Sequence, residues 1–178
     1  MPKITFDLPV LRSARLTLRP AREGELEMLA EAIAADPAAG VRWSTNPATN
    51  LGWFSDECVG FLVIEFEGKA AGVIDFEEQC DPAYRSAGID IALLLPYAGK
   101  GLGTEAVQLL AAWLVDERGH HRLTIDPAAD NAPAIHTYEK VGYRPIGIAR
   151  RYERGSDGRW HDNLLMDLLA EELVRLED

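Results

Sequence analysis

The segment Gly99-Lys100-Gly101-Leu102-Gly103-Thr104 has the residue types to hold an anion. Glycines between a predicted strand and a predicted helix let backbone N–H groups approach a phosphate closely, and the helix start adds partial positive charge. A pyrophosphate cradle and a turn shaped only for chain reversal both use such a run. It is not the nucleoside-triphosphate loop, because no Lys-Ser/Thr pair follows the last glycine. Nor is it the dinucleotide pattern Gly-x-Gly-x-x-Gly, because Ala106 stands at the third glycine's place and no acidic strand end follows at suitable spacing. Covalent catalysis has no visible nucleophile among the cysteines and serines. Cys58 and Cys80 form neither a Cys-x-x-Cys pair nor a zinc spacing, and no paired histidines stand at ligand spacing, so no metal is expected. His120, His121, His136 and His161 are read as surface residues. Trp43, Trp53 and Phe54 lie in one long segment, as a lid over a substrate or as a small satellite core.

The elements that must position these residues follow from periodicity. Arg15–Arg19 alternates as a half-buried strand closed by Pro20, and Glu23–Ala34 carries Leu26, Leu29, Ala30 and Ile33 at helical spacing. The segment from Asp36 to Asp56 reads as loop or short helices. Gly60–Glu67, Ala70–Glu78 and Ala87–Leu95 read as an antiparallel meander, the first two joined by a glycine hairpin. A helix over Thr104–Arg118 ends at Gly119, a strand covers Arg122–Ile125, and Asn131 caps a helix running to Val141 before Gly142. Two strands, Tyr143–Tyr152 and Arg159–Leu168, close the chain. This order predicts an α/β fold, an α+β mixed sheet with helices on both faces, in one domain over residues 1–178.

The glycine loop gains meaning from a second segment, Asn131-Ala132-Pro133-Ala134-Ile135-His136-Thr137-Tyr138-Glu139-Lys140-Val141-Gly142-Tyr143. Together the two resemble the signature motifs of the GNAT superfamily of acyl-CoA N-acyltransferases, and the similarity runs from Leu16-Thr17-Leu18-Arg19-Pro20 to the last strand. The resemblance implies a splayed, largely antiparallel sheet in which the strands ending at Leu95 and Ile125 are parallel and diverge around the pantetheine of acetyl-CoA. It implies a direct attack of a neutral amine on the thioester in a ternary complex. Gly99, Lys100, Gly101, Gly103, Thr104 and Asn131 would serve the cofactor. Backbone N–H groups near Leu93 and Leu94, where the family strand usually bulges, would hold the oxyanion. Tyr138 would act as general acid toward the thiolate; packed against the sheet, the same ring needs no such task. Many members carry Arg or Gln where this chain has Ala98, so a side-chain contact to phosphate is missing.

Within the superfamily, Gly88-Ile89-Asp90 and Thr124-Ile125-Asp126-Pro127 resemble the aminoglycoside 6'-N-acetyltransferases, whose matching aspartates face the amino sugar. Asp90 and Asp126 would bind a cationic amine, and one would receive its proton. Alternatively Asp90 is a solvated strand residue and Asp126 shapes the turn before Pro127. Other acceptors compatible with the motifs are a ribosomal-protein N-terminus or lysine and the amine of a siderophore precursor; a non-catalytic acyl-CoA sensor is a further alternative.

Composition narrows the partners. The 178 residues are 47% apolar, and 29 acidic against 18 basic residues give a net charge of −11. That balance repels a phosphate backbone, so nucleic acid is not an expected partner. No apolar run approaches the roughly 20 residues that span a bilayer, so no membrane association is expected and a reduced, cytoplasmic chain is, as monomer or homodimer.

Overall fold

The computed structural model describes residues 7–36, 46–54, 59–79 and 81–177. Trp43, Cys58 and Cys80 lie outside the described residues, as do the side chains of Trp53 and Phe54, and so the choice between a lid and a satellite core falls there too. Among the described residues, eight strands form one sheet: β1 (Leu11–Arg12), β2 (Leu16–Arg19), β3 (Val59–Phe66), β4 (Lys69–Gln79), β5 (Ser86–Leu93), β6 (Arg122–Ile125), β7 (Arg144–Arg154) and β8 (Trp160–Leu169). The α-helices among the described residues are α1 (Glu25–Ala34), α2 (Pro47–Phe54), α3 (Leu102–Asp116) and α4 (Ala132–Val141). The sheet order is β1-β2-β3-β4-β5-β6-β8-β7, and β5–β6 is the parallel pair among antiparallel neighbours.

The central strands are apolar on both faces because both faces are covered. From β3, Phe61 and Val63 pack with Leu29, Ala30 and Ile33 of α1 in one cluster. Leu62 and Ile64, pointing the other way, join Leu110 and Leu114 of α3 and Val141 of α4 in a second. The mixed fold with helices on both faces is as expected. The β3–β4 hairpin turns through Glu67 and Gly68, both at positive φ, the backbone that a two-residue hairpin with right-handed twist requires.

Arg19 fixes α1 to the sheet. It is 8% exposed, donates to both carboxylate oxygens of Glu25 at 2.7 Å, and donates to Glu65 on β3 at 2.8 Å. These hydrogen bonds hold the Glu25 carboxyl at about 2, well below its ordinary value.

Two expectations are corrected. α3 starts two residues before Thr104, because Gly101 adopts a left-handed backbone as N-cap and the fully buried Leu102 belongs to the core. His120 is not a surface residue: it is 1% exposed, and its Nε2 lies 2.8 Å from Glu78 at the end of β4. Gly119, at positive φ after α3, turns the chain inward and delivers it there. Arg118 grips the same Glu78 with two hydrogen bonds, at 2.8 and 2.9 Å. Burial disfavours the Glu78 charge, but the bonds from Arg118 and His120 outweigh it and lower the carboxyl's pKa. His121 and His136 are exposed, and the half-buried His161 meets Asp157 at 3.0 Å.

Candidate active site

The crevice begins where β5 and β6 part. Their parallel register comprises Ala87–Leu123 and Gly88–Thr124. Asp90 and Asp126 each stand two residues beyond Gly88 and Thr124, one on each side of the split. Both are half-buried. Asp90 pairs across strands with Asp75 of β4, which is 4% exposed, and its Oδ1 accepts the N–H of Ile91 at 2.8 Å. Neighbouring pairs in the same register, Val73 and Ala92 among them, face α1, so these carboxylates lie on the α1 side of the sheet.

Asp126 is held by a residue that periodicity did not single out. Asn163 of β8 is fully buried, and its Nδ2 donates to the Asp126 carbonyl at 2.9 Å, to Asp126 Oδ2 at 3.2 Å and to Glu153 Oε2 at 3.3 Å. One amide nitrogen thus gathers two carboxylates. Glu153 reaches it because the β7–β8 register slips between Ala149 and Glu153, which re-aims the end of β7. Asp75 did leave a trace in the sequence, as a charge inside the apolar run Val73-Ile74-Asp75-Phe76. Glu153 left none, since a register slip is invisible in composition.

On the other side of the split lies the glycine loop. Leu95–Tyr97 forms a 3-10 turn after β5, and Gly99 and Gly101 then take positive φ at 73° and 77°, where an L side chain would be strained. Gly101 is the N-cap of α3, with Gly103 and Thr104 in its first turn. Among the described residues, no acceptor takes up the N–H groups from Gly99 to Thr104. These open donors at a helix start suit a diphosphate. A Cβ on Gly103 would come within 3.3 Å of Leu93 and 3.9 Å of Thr137, so the loop packs closely between β5 and α4. The ammonium of Lys100 sits 5.7 Å from the centre of the Tyr97 ring.

The expected bulge in β5 is absent. Its register with β4 runs unbroken from Gly72–Leu93 to Gln79–Ser86, and the Leu94 N–H continues the ladder by donating to the Ala71 carbonyl at 2.9 Å. In an antiparallel ladder successive N–H groups point to opposite edges, so Leu93 presents its N–H to the β6 side, where the strands part.

Asn131 is the N-cap of α4, as its position predicts: its Oδ1 accepts the Ala134 N–H at 3.2 Å. Tyr138 lies about two turns further along α4, 6% exposed, with its ring edge-on to Tyr143 at 6.2 Å. The Tyr143 hydroxyl is buried without a hydrogen-bond partner among the described residues, and burial, with Tyr138 beside it, pushes its pKa up.

The sheet split at β5–β6, with a carboxylate on each lip and open backbone donors in the loop that follows β5, frames the crevice. The chain belongs to the acetyltransferase (GNAT) domain family, whose model matches residues 15–144. Among curated proteins it is similar to a kanamycin resistance protein of Rhizobium radiobacter, 38% identical over 73 residues covering 40% of this chain and 66% of that protein. It is also similar to the spermidine N(1)-acetyltransferase of Escherichia coli strain K12, 31% identical over 86 residues, 48% of this chain and 46% of that protein. The chain therefore spans less than two thirds of the length of each. In fold it matches Mycobacterium smegmatis RimJ in complex with CoA-disulfide, with a TM-score of 0.76 and 24% identity over 94% of this chain and 89% of that one. No helix among the described residues is long and apolar enough to cross a membrane.

Proposed function

We propose that this protein transfers the acetyl group of acetyl-CoA to a primary amine of a small polycationic acceptor, with an aminoglycoside amino sugar preferred. The observation that carries the acceptor is the placement of Asp90 and Asp126 on opposite lips of the split, with Glu153 drawn to Asp126 by Asn163. Several carboxylates in a half-buried crevice favour a ligand with several ammonium groups, because each charge finds a partner as water is lost. Resemblance to a kanamycin resistance protein and to a spermidine acetyltransferase supports a polyamine-like acceptor over a peptide.

The donor contributes an activated thioester. The loop from Gly99 to Thr104 binds its pyrophosphate through backbone N–H groups, and Asn131, at the start of α4, serves the same cofactor. The Leu93 N–H is the donor for the developing oxyanion; Leu94 is spent on the β4 ladder. Asp90 or Asp126 takes the proton of the acceptor ammonium, leaving a neutral amine to attack the carbonyl. Tyr138 gives its phenol hydrogen bond or proton to the departing thiolate.

The test is acetyl-CoA consumption measured against a panel of amino sugars, spermidine and short peptides. Turnover of amino sugars with kcat/KM above that of spermidine and peptides supports the reading. Spermidine turnover alone replaces the preferred acceptor, and peptide turnover with no acetylated amine antibiotic overturns the polycationic acceptor.

A further inference from the structure

Arg15 reaches the glycine loop from a distant part of the chain. It stands in the turn between β1 and β2, and its Nη1 donates to the carbonyl of Lys100 at 3.1 Å. Its Nε donates to Glu105 Oε2 at 2.6 Å, and its Nη2 forms an ion pair with the same oxygen. The other Glu105 oxygen accepts Ser13 Oγ at 2.5 Å, and that hydroxyl also accepts the Leu16 N–H at 3.1 Å, which ties the contact into the hairpin. Glu105 is 6% exposed, whereas nearly half of the Arg15 side chain meets solvent beside the loop.

Two consequences follow from elementary geometry and charge. In a trans peptide the C=O and N–H point in opposite directions. Because the Lys100 carbonyl is bonded to Arg15, the Gly101 N–H is directed away from Arg15, on the face of the loop left open. Ala98 offers no polar side chain to fix the loop from within, so this orientation comes from outside it. The second consequence concerns Glu105, a carboxylate in the first turn of α3. Such an anion occupies the favourable end of the helix dipole and would repel a diphosphate brought to it. Ser13 and Arg15 bind it on the hairpin side and balance its charge.

We infer that Arg15 is a positioning residue for the pyrophosphate of the acyl donor: it orients the Gly101 N–H and neutralises Glu105, so that the start of α3 receives a dianion. The inference rests on the acetyl-CoA reading above. It also gives the β1–β2 turn a task in cofactor recognition.

The experiment compares two donors that differ in the phosphates, acetyl-CoA and S-acetylpantetheine, in steady-state kinetics of the wild type, Arg15→Gln and Arg15→Lys. With Arg15→Gln, KM for acetyl-CoA rises about tenfold or more while kcat changes by less than about twofold. S-acetylpantetheine, without a pyrophosphate, keeps its kcat/KM. Arg15→Lys restores charge but not the fork that holds carbonyl and carboxylate together, so its KM for acetyl-CoA lies between the two. It also carries the test if the glutamine variant does not fold. An unchanged KM for acetyl-CoA in either folded variant, or an equal loss with both donors, overturns the role of Arg15 and leaves the acetyltransferase reading standing. A wild type that neither binds CoA in calorimetry nor uses acetyl-CoA overturns the donor reading and this inference with it.

Discussion

Asp90 and Asp126 stand level with one another across the split of the sheet, each two residues past the Gly88–Thr124 pair that ends the registered contact between β5 and β6. Hydrogen bonding holds the two strands together up to that pair, and beyond it the lips carry a carboxylate each. One is steadied by its neighbour's N–H, from Ile91, and the other by the buried amide of Asn163.

Replacing Asp90 or Asp126 by Asn therefore weakens the use of a cationic acceptor. The loss is about 1.5–3 kcal/mol in transition-state stabilisation for each charge-assisted hydrogen bond removed. CoA affinity, measured by calorimetry, stays as in the wild type. Raised salt reproduces part of the loss by screening. Unchanged kcat/KM for every cationic amine in both variants would remove these carboxylates from the acceptor site.

Tyr138→Phe separates chemistry from packing. The expected result is a kcat lower by about 10² to 10⁴-fold with little change in acetyl-CoA affinity. Because Tyr138 is nearly buried and packs edge-on against Tyr143, phenylalanine preserves the ring contact. Full turnover in the variant, with chemistry rate-limiting, assigns the ring to packing alone.

At Gly101, with φ of 77°, an aspartate would be strained, and its Cβ would stand 3.5 Å from the Arg15 guanidinium that bonds the Lys100 carbonyl, adding a negative charge to the start of α3. Gly101→Asp abolishes the heat of CoA binding while near-native circular dichroism is retained. A variant that folds and still binds CoA with wild-type affinity contradicts the pyrophosphate cradle.

The Arg19–Glu25 pair predicts an acid limb of stability. The Glu25 carboxyl is depressed in the folded state, from 4.5 to about 2, so its contribution is complete above the unfolded value and is lost as pH falls from about 4.5 toward 2. The contribution at neutral pH is about 3 kcal/mol at most. Thermal melts of the wild type and Glu25→Gln should differ most at pH 6–7 and converge only as pH approaches about 2. A gap in Tm independent of pH refutes the linkage.

Tyr143→Phe is expected to stabilise the fold. Its hydroxyl is buried without a hydrogen-bond partner among the described residues, and deleting an unsatisfied polar group recovers about 1 kcal/mol or more. For a chain of this size that is a Tm higher by about 2–4 °C. A Tm lowered by several degrees would show that the hydroxyl serves a bond elsewhere.

Local chemistry made much of this protein legible in its sequence. Helical spacing marked α1 and α3, a cap and a terminal glycine marked α4, and strand-like runs bounded by turn residues marked the long strands. Glycines at positive φ ended or began elements where expected, at Gly119 and Gly142, and Asn131 capped α4 because a short polar side chain there satisfies an orphan N–H. The two motifs carried the family, since spacing along one chain is enough to bring a glycine loop and a helix to neighbouring strands of a common sheet. Tertiary structure decided what depends on register and on contacts between distant segments. A slip of β7 against β8 brings Glu153 to Asn163 and Asp126; an unbroken β5 register spends the Leu94 N–H and turns that of Leu93 toward the opening; and a hairpin some ninety residues upstream supplies the cation beside Gly101. His120 shows the same limit: a polar residue after a helix reads as exposed until the fold places Glu78 against it, because burial of a polar group is set by the partner it finds and not by its own type.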